Sequence, residues 1–187
     1  MLKQTVQKHV MAVNDTFTVD FEYSFSKAVN AISKSLRNGG KLIFCGNGGS
    51  AGDSQHISAE FVSKLQKDRE PLAAISLTVD TSAITSIGND YGFDNIFSRQ
   101  VKALARPEDT LIVFSTSGKS QNVIMAVQTA RREGISVIAL TGETGLRDCE
   151  GLNVIELKVA SGETARVQEI HILIGHLLCA RCEREYL

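Results

Sequence analysis

The sequence predicts an α/β fold in which five parallel strands are covered by helices on both faces. Short apolar runs alternate along the chain with segments of helical periodicity, the order in which a parallel sheet is built. Two of the runs end in loops suited to an anion, Gly46-Asn47-Gly48-Gly49 and Ser115-Thr116-Ser117-Gly118. In such sheets ligands bind beyond the carboxyl ends of the strands, where both loops fall.

Residues 3–37 read as two helices, with Phe21, Phe25, Ala28, Val29, Ile32 and Leu36 forming an apolar stripe. Asn38-Gly39-Gly40 stops the second of them. Two helices ahead of the first strand are expected to flank the sheet or to pack against another subunit. The first strand is Leu42–Cys45, and Ser50 is expected as the N-cap of the helix that follows its loop. After Pro71, Leu72–Leu77 reads as the second strand. A short helix over Thr81–Ile87, a turn over Gly88–Gly92 and a helix over Phe93–Ala105 come next. Asp109–Ser115 is a buried strand leading into a helix over Gln121–Glu133, closed by Gly134. Ser136–Thr141 and Asn153–Val159 are the last strands, and a helix over 163–185 ends the chain.

Length and composition describe one ordinary globular domain. The chain has 187 residues, 43% of them hydrophobic, and a net charge of −1. It divides into an N-terminal helical segment, 1–37, and an α/β core, 38–187. No basic excess points to nucleic acid, and no apolar run approaches the ~18 residues of a membrane span. The opening MLKQTVQKHV lacks the apolar core of a signal peptide, so the cytoplasm is expected. Cys45, Cys149, Cys179 and Cys182 are too few and scattered for a disulfide framework. The C-x-x-C of Cys179 and Cys182 lies inside a helical pattern without a second pair, which favours packing over redox or metal chemistry.

Two nucleotide motifs fail on spacing. Gly46, Gly48 and Ala51 fit G-x-G-x-x-A, but the acidic residue expected about 20 positions later is missing; the next strand ends only near Asp80. Ser117-Gly118-Lys119-Ser120 resembles the end of a P-loop, but Val113 occupies the position that needs glycine. What remains is four hydroxyls, on Ser115, Thr116, Ser117 and Ser120, around a strand-to-helix turn. With helix N–H groups they can hold a phosphate monoester, whereas capping alone needs one hydroxyl.

His56 and Glu60 stand at i and i+4 and share a helix face. His9 lies in a polar helix and reads as solvated. In the last helix Gln168 shares a face with His171 and lies about 80° from His176, and spacing does not choose between the two histidines.

The motifs Cys45–Ser50, Gln55-His56 with Glu60, Gly88–Phe93, Ser115–Ser120 and Arg166–His171 occur in an order that resembles the sedoheptulose-7-phosphate isomerases (phosphoheptose isomerases) of the sugar isomerase, or SIS, fold. The resemblance covers nearly the whole chain and implies a three-layer sandwich of flavodoxin-like topology, with the N-terminal helices at a subunit interface. It implies an aldose–ketose isomerase that converts D-sedoheptulose 7-phosphate to D-glycero-D-manno-heptose 7-phosphate through an enediol. That reaction is the first step of nucleotide-activated heptose synthesis for lipopolysaccharide. Glu60 would be the general base and His176 the general acid. Asn47, Gly48, Gly49, Ser50, Glu60, Asn89, Asp90 and Gln168 would contact the sugar, and Ser115, Thr116, Ser117 and Ser120 the phosphate.

The resemblance also implies one zinc ion per subunit, on His56, Glu60, Gln168 and His176, and a homotetramer with active sites at subunit interfaces. No nucleic acid or membrane is implied. Where relatives can carry an arginine four residues after the glutamate, this chain has Lys64, a point charge in place of a bidentate fork. The competing reading is a non-catalytic SIS protein that binds a sugar phosphate or another protein. Such a protein could dispense with Glu60 or His176, and both are present.

Overall fold

The computed structural model describes residues 1–185. Strands β1 (Leu42–Gly46), β2 (Ala74–Ser76), β3 (Thr110–Ser115), β4 (Ser136–Thr141) and β5 (Ile155–Lys158) form one parallel sheet in the order β2-β1-β3-β4-β5. The order reverses between β1 and β3, which opens a crevice at their carboxyl ends. Helices α1 (Leu2–Thr16), α2 (Val19–Arg37), α3 (Gly49–Val62) and α7 (Thr164–Glu185) lie towards one face. Helices α4 (Thr81–Tyr91), α5 (Ile96–Leu104) and α6 (Gln121–Arg132) lie towards the other, and a single 3-10 turn, Phe93–Asn95, precedes α5.

Every residue of β1 and β3 is buried, because both faces of a parallel sheet are covered. Phe44, Ile112, Phe114, Ile138 and Leu140 face a core shared with α2, α3 and α7. Ile43, Cys45, Leu111, Val113, Val137 and Ala139 face a second core with α5 and α6. The predicted stripe on α2 supplies Phe21, Ala28, Val29 and Ile32 to the first core. Thr18 caps that helix, its hydroxyl accepting from Phe21 N–H at 3.3 Å.

Three local expectations are corrected. Helix α3 starts at Gly49, with Gly48 in the left-handed region (φ 58) turning the chain, so Ser50 lies inside the first turn and is not the cap. Helix α4 runs on through Gly88–Tyr91 and stops at Gly92 (φ 85); the Gly-Asn-Asp stretch is helical, not a turn. Strand β2 spans only Ala74–Ser76, because Leu72 N–H donates to Phe61 O (3.0 Å) at the end of α3 and so leaves the ladder. No described helix is long and apolar enough to cross a membrane.

Helices α3 and α7 pack side by side and point the same way. Near their starts, a Cβ on Gly49 would come within 2.5 Å of Gln168 Nε2. Further along, a Cβ on Gly175 would come within 2.6 Å of Ile57 Cγ1 and Cδ1. Only a residue without a side chain lets the two helices approach this closely. This pairing sets the geometry of the site.

Candidate active site

The close approach of α3 and α7 brings His56, Glu60 and His176 together. His56 Nε2 lies 2.9 Å from His176 Nε2 and 3.4 Å from Glu60 Oε1. One ligand atom from each of the three lies within 4.8 Å of the others. Two imidazole nitrogens and a carboxylate oxygen are a donor set that suits zinc with an open coordination position. His56 is half exposed and Glu60 partly buried, so the cluster opens to solvent on one side.

The structure separates the two histidines that spacing left open. His171 is fully buried and packs edge-on against Phe114, with ring centroids 5.8 Å apart. Burial pushes its pKa down to about 4, outweighing a backbone contact with Thr141, so it is neutral at pH 7. His176 belongs to the cluster and His171 to the core. Gln168 stands against Gly49, eight residues before His176, which is about 12 Å along a helix axis. One chain therefore does not bring Gln168 and His176 to the same ion.

The loops after β1 and β3 face each other across the switch point. Asn47 and Asn122 exchange both amide hydrogen bonds, Asn47 Nδ2 to Asn122 Oδ1 at 2.8 Å and Asn122 Nδ2 to Asn47 Oδ1 at 2.9 Å. Asn122 is buried in the first turn of α6, so this pair ties the glycine-rich loop to the start of that helix. Gly48 and Gly49 are exposed and Ser50 is buried.

In the hydroxyl loop, Ser115 Oγ is buried without a hydrogen-bond partner. Ser120 is the N-cap of α6, yet its side chain makes no capping bond. Ser117 is exposed and its hydroxyl accepts from Lys119 N–H at 3.2 Å; Thr116 is half buried. A buried free hydroxyl, an unengaged cap and a helix N-terminus together form a cradle for an anion. Asn89 and Asp90 lie exposed at the end of α4, where Asn89 Nδ2 donates to Asp90 Oδ1 (2.8 Å). Lys64 forms an exposed ion pair with Asp68 at 3.6 Å.

Sequence reasoning missed Asn122 and Asp53. Asn122 sits one position past the expected helix start, and nothing local marks it as the partner of a residue 75 positions earlier. Asp53 is buried one turn before His56, with Oδ2 unpaired. Burial pushes its carboxyl up to about 6, with His56 acting in the opposite sense. An aspartate in a helix interior carries no local sign of this.

A family model described as "SIS domain" matches residues 7–142. The phosphoheptose isomerase of Rhodospirillum rubrum is 49% identical over 160 residues, covering 86% of this chain and 85% of that protein. That of Campylobacter concisus is 44% identical and covers 100% of this chain and 99% of its own. The solved structure of a phosphoheptose isomerase from Francisella tularensis superposes with a TM-score of 0.92 at 37% identity, over 98% of this chain and 96% of that one. Identity at this level along the whole chain, with so close a superposition, places the protein in the phosphoheptose isomerase family of SIS-domain proteins.

Proposed function

We propose that the chain converts D-sedoheptulose 7-phosphate into D-glycero-D-manno-heptose 7-phosphate. The observation that carries this reading is the convergence of His56, Glu60 and His176 on α3 and α7, together with a cradle of free hydroxyls at the carboxyl end of β3. Relatives named phosphoheptose isomerases support it.

The remote phosphate binds to Ser115, Thr116, Ser117 and Ser120 at the start of α6. That contact fixes the reacting carbons without further loss of freedom in the transition state. The loop Asn47–Ser50, with Asn89 and Asp90, holds the sugar hydroxyls. Glu60 removes a proton from C1 of the open-chain ketose and returns it to C2, passing through an enediol. His176 protonates O2 and takes the proton from O1, which requires it to reach both oxygens. His56, Glu60 and His176 would hold the zinc, which when bound would supply a Lewis acid for the carbonyl oxygen. Glu60 can ligate through one carboxylate oxygen and keep the other for the proton.

Gln168 would complete the metal set from a neighbouring copy of the chain, since one α7 does not bring both Gln168 and His176 to one ion. A homotetramer meets this need. The apolar residues left exposed on α1 (Leu2, Val6, Val10 and Met11) and the absence of any buried residue on α4 support a shared interface. A phosphorylated sugar substrate places the reaction in the cytoplasm, feeding nucleotide-activated heptose.

The test is Glu60→Gln assayed with sedoheptulose 7-phosphate. The variant folds and binds the substrate but loses turnover by about 10²–10⁴-fold, the range for a positioned base. Turnover near wild type would remove Glu60 as the base. A wild-type protein that binds the sugar phosphate without converting it would leave a binding protein instead.

A further inference from the structure

Glu60 lies in the last turn of α3, Gly49–Val62. The final carbonyls of a helix have no partner inside it, so this turn frays unless something outside closes it. Here the closure is Arg69. Its Nη2 donates to Glu60 O at 2.8 Å, and its Nη1 donates to Phe61 O at 2.9 Å and Ser63 O at 3.2 Å. A cation at this end also suits the helix dipole.

Arg69 is itself held by α7. Its Nε lies 3.2 Å from Glu183 Oε1, and both side chains are only 2% exposed. Glu183 accepts Leu65 N–H at 2.8 Å and Gln66 N–H at 3.1 Å, so it also grips the loop that leaves α3. Burial alone would raise the Glu183 carboxyl. The N–H groups of Leu65, Gln66 and Lys67 and the Arg69 guanidinium outweigh it, and the group stays ionised below the ordinary carboxylate range. On α7, Glu183 follows His176 by seven residues, close to two full turns, so the two side chains leave the same face.

We propose that Arg69 and Glu183 are positioning residues for the isomerisation: as one buried unit they fasten the last turn of α3 to α7 and so set the Glu60 carboxylate against His176. This rests on the roles given to Glu60 and His176 above. A buried ion pair is weak evidence for stability in itself, since apolar residues of the same volume often serve as well. What apolar residues cannot do is satisfy three helix-end carbonyls and two loop N–H groups at once. The pair's distinct contribution is therefore geometric.

The experiment uses the full chain with Glu183→Gln, Arg69→Lys and Arg69→Gln. The readouts are kcat and KM for sedoheptulose 7-phosphate, and zinc affinity of the metal-stripped protein by competition with a chromophoric chelator. All values are normalised to the folded fraction by near-ultraviolet circular dichroism. Expected is a fall in kcat and in zinc affinity of about 10–100-fold, as for loss of groups that orient metal ligands. KM should stay within about threefold, because the phosphate loop is untouched. Arg69→Lys should recover part of what Arg69→Gln loses. A folded Glu183→Gln or Arg69→Lys protein with wild-type kcat and zinc affinity overturns the proposal, as does a loss matching only the unfolded fraction. Should Arg69→Gln not fold, the two milder variants decide. If the wild type does not turn the sugar over, the functional reading fails, and unchanged zinc affinity in Glu183→Gln then overturns this proposal separately.

Discussion

Substituting Gly175 by alanine should open the active site without touching any residue in it. The new methyl carbon would sit 2.6 Å from both Cγ1 and Cδ1 of Ile57, against the 3.4 Å at which ordinary contact begins. Ile57 is 1% exposed and β-branched, so it cannot simply rotate away. The helices must therefore part by most of the missing ångström. Overpacking of this kind costs about 1–3 kcal/mol, while alanine in place of glycine returns about 1 kcal/mol of helix propensity. Net destabilisation is thus small, on the order of 0–2 kcal/mol by that difference.

The catalytic cost of the same substitution is larger. His176 follows Gly175 directly and His56 precedes Ile57, so parting these helices widens the 2.9 Å separation between the two imidazoles. A displacement near 1 Å costs about 10²-fold in rate. The assay is kcat for sedoheptulose 7-phosphate and zinc affinity in Gly175→Ala, Ile57→Val and the double variant. Ile57→Val removes Cδ1, one of the two clashing carbons, so the double variant should recover part of the loss and show a coupling of about 0.5–3 kcal/mol. Gly175→Ala with kcat within twofold of wild type, or strictly additive effects, would refute the idea that this contact sets the site.

Two further substitutions test neighbouring parts of the site. Asp53 has a folded-state pKa raised to about 6 from 3.8, so its contribution to stability is present at low pH and is lost as pH rises through about 6. Asp53→Asn should therefore stabilise the metal-free protein at pH 8 by about 1–3 kcal/mol relative to wild type, at 1.36 kcal/mol per unit. Melting curves in chelator should show that advantage shrink towards pH 5, and a constant difference across the range would contradict the assignment. Asn122→Ala removes both amide bonds to Asn47, leaving that side chain unpaired at a cost of about 1–3 kcal/mol. Substrate KM should rise several-fold with a smaller change in kcat, which steady-state kinetics would separate.

The centre of the sheet was legible because β1, β3 and β4 carry continuous apolar runs, the pattern that burial on both faces demands. The pair His56 and Glu60 was legible because four residues on a helix is a local relation. His176 could not be chosen over His171 from periodicity, since both fit the helix and only packing decides which one meets α3. The resemblance to phosphoheptose isomerases selected His176, and the packing brings that residue to His56 and Glu60. The links from Asn47 to Asn122, from Ile57 to Gly175 and from Arg69 to Glu183 cross 75, 118 and 114 residues. No spacing rule reaches that far. Local misreadings had a different source: in Gly-Asn-Asp-Tyr-Gly a turn signal and a helix both fit, and the last glycine, not the first, ended the helix.

The two imidazoles of the site are 120 positions apart in the chain. At a synthesis rate of about 5–20 residues per second, His56 leaves the ribosome on the order of 6–24 s before its partner. Through that interval helix α3 lacks the partner that carries His176, Glu183 and the packing glycine Gly175 together. The three side chains that would hold the proposed zinc therefore meet only in the finished polypeptide. A nascent or C-terminally nicked chain without α7 lacks His176, Gly175 and Glu183 together, along with a share of the core, which makes integrity of the last helix a built-in check on the whole molecule.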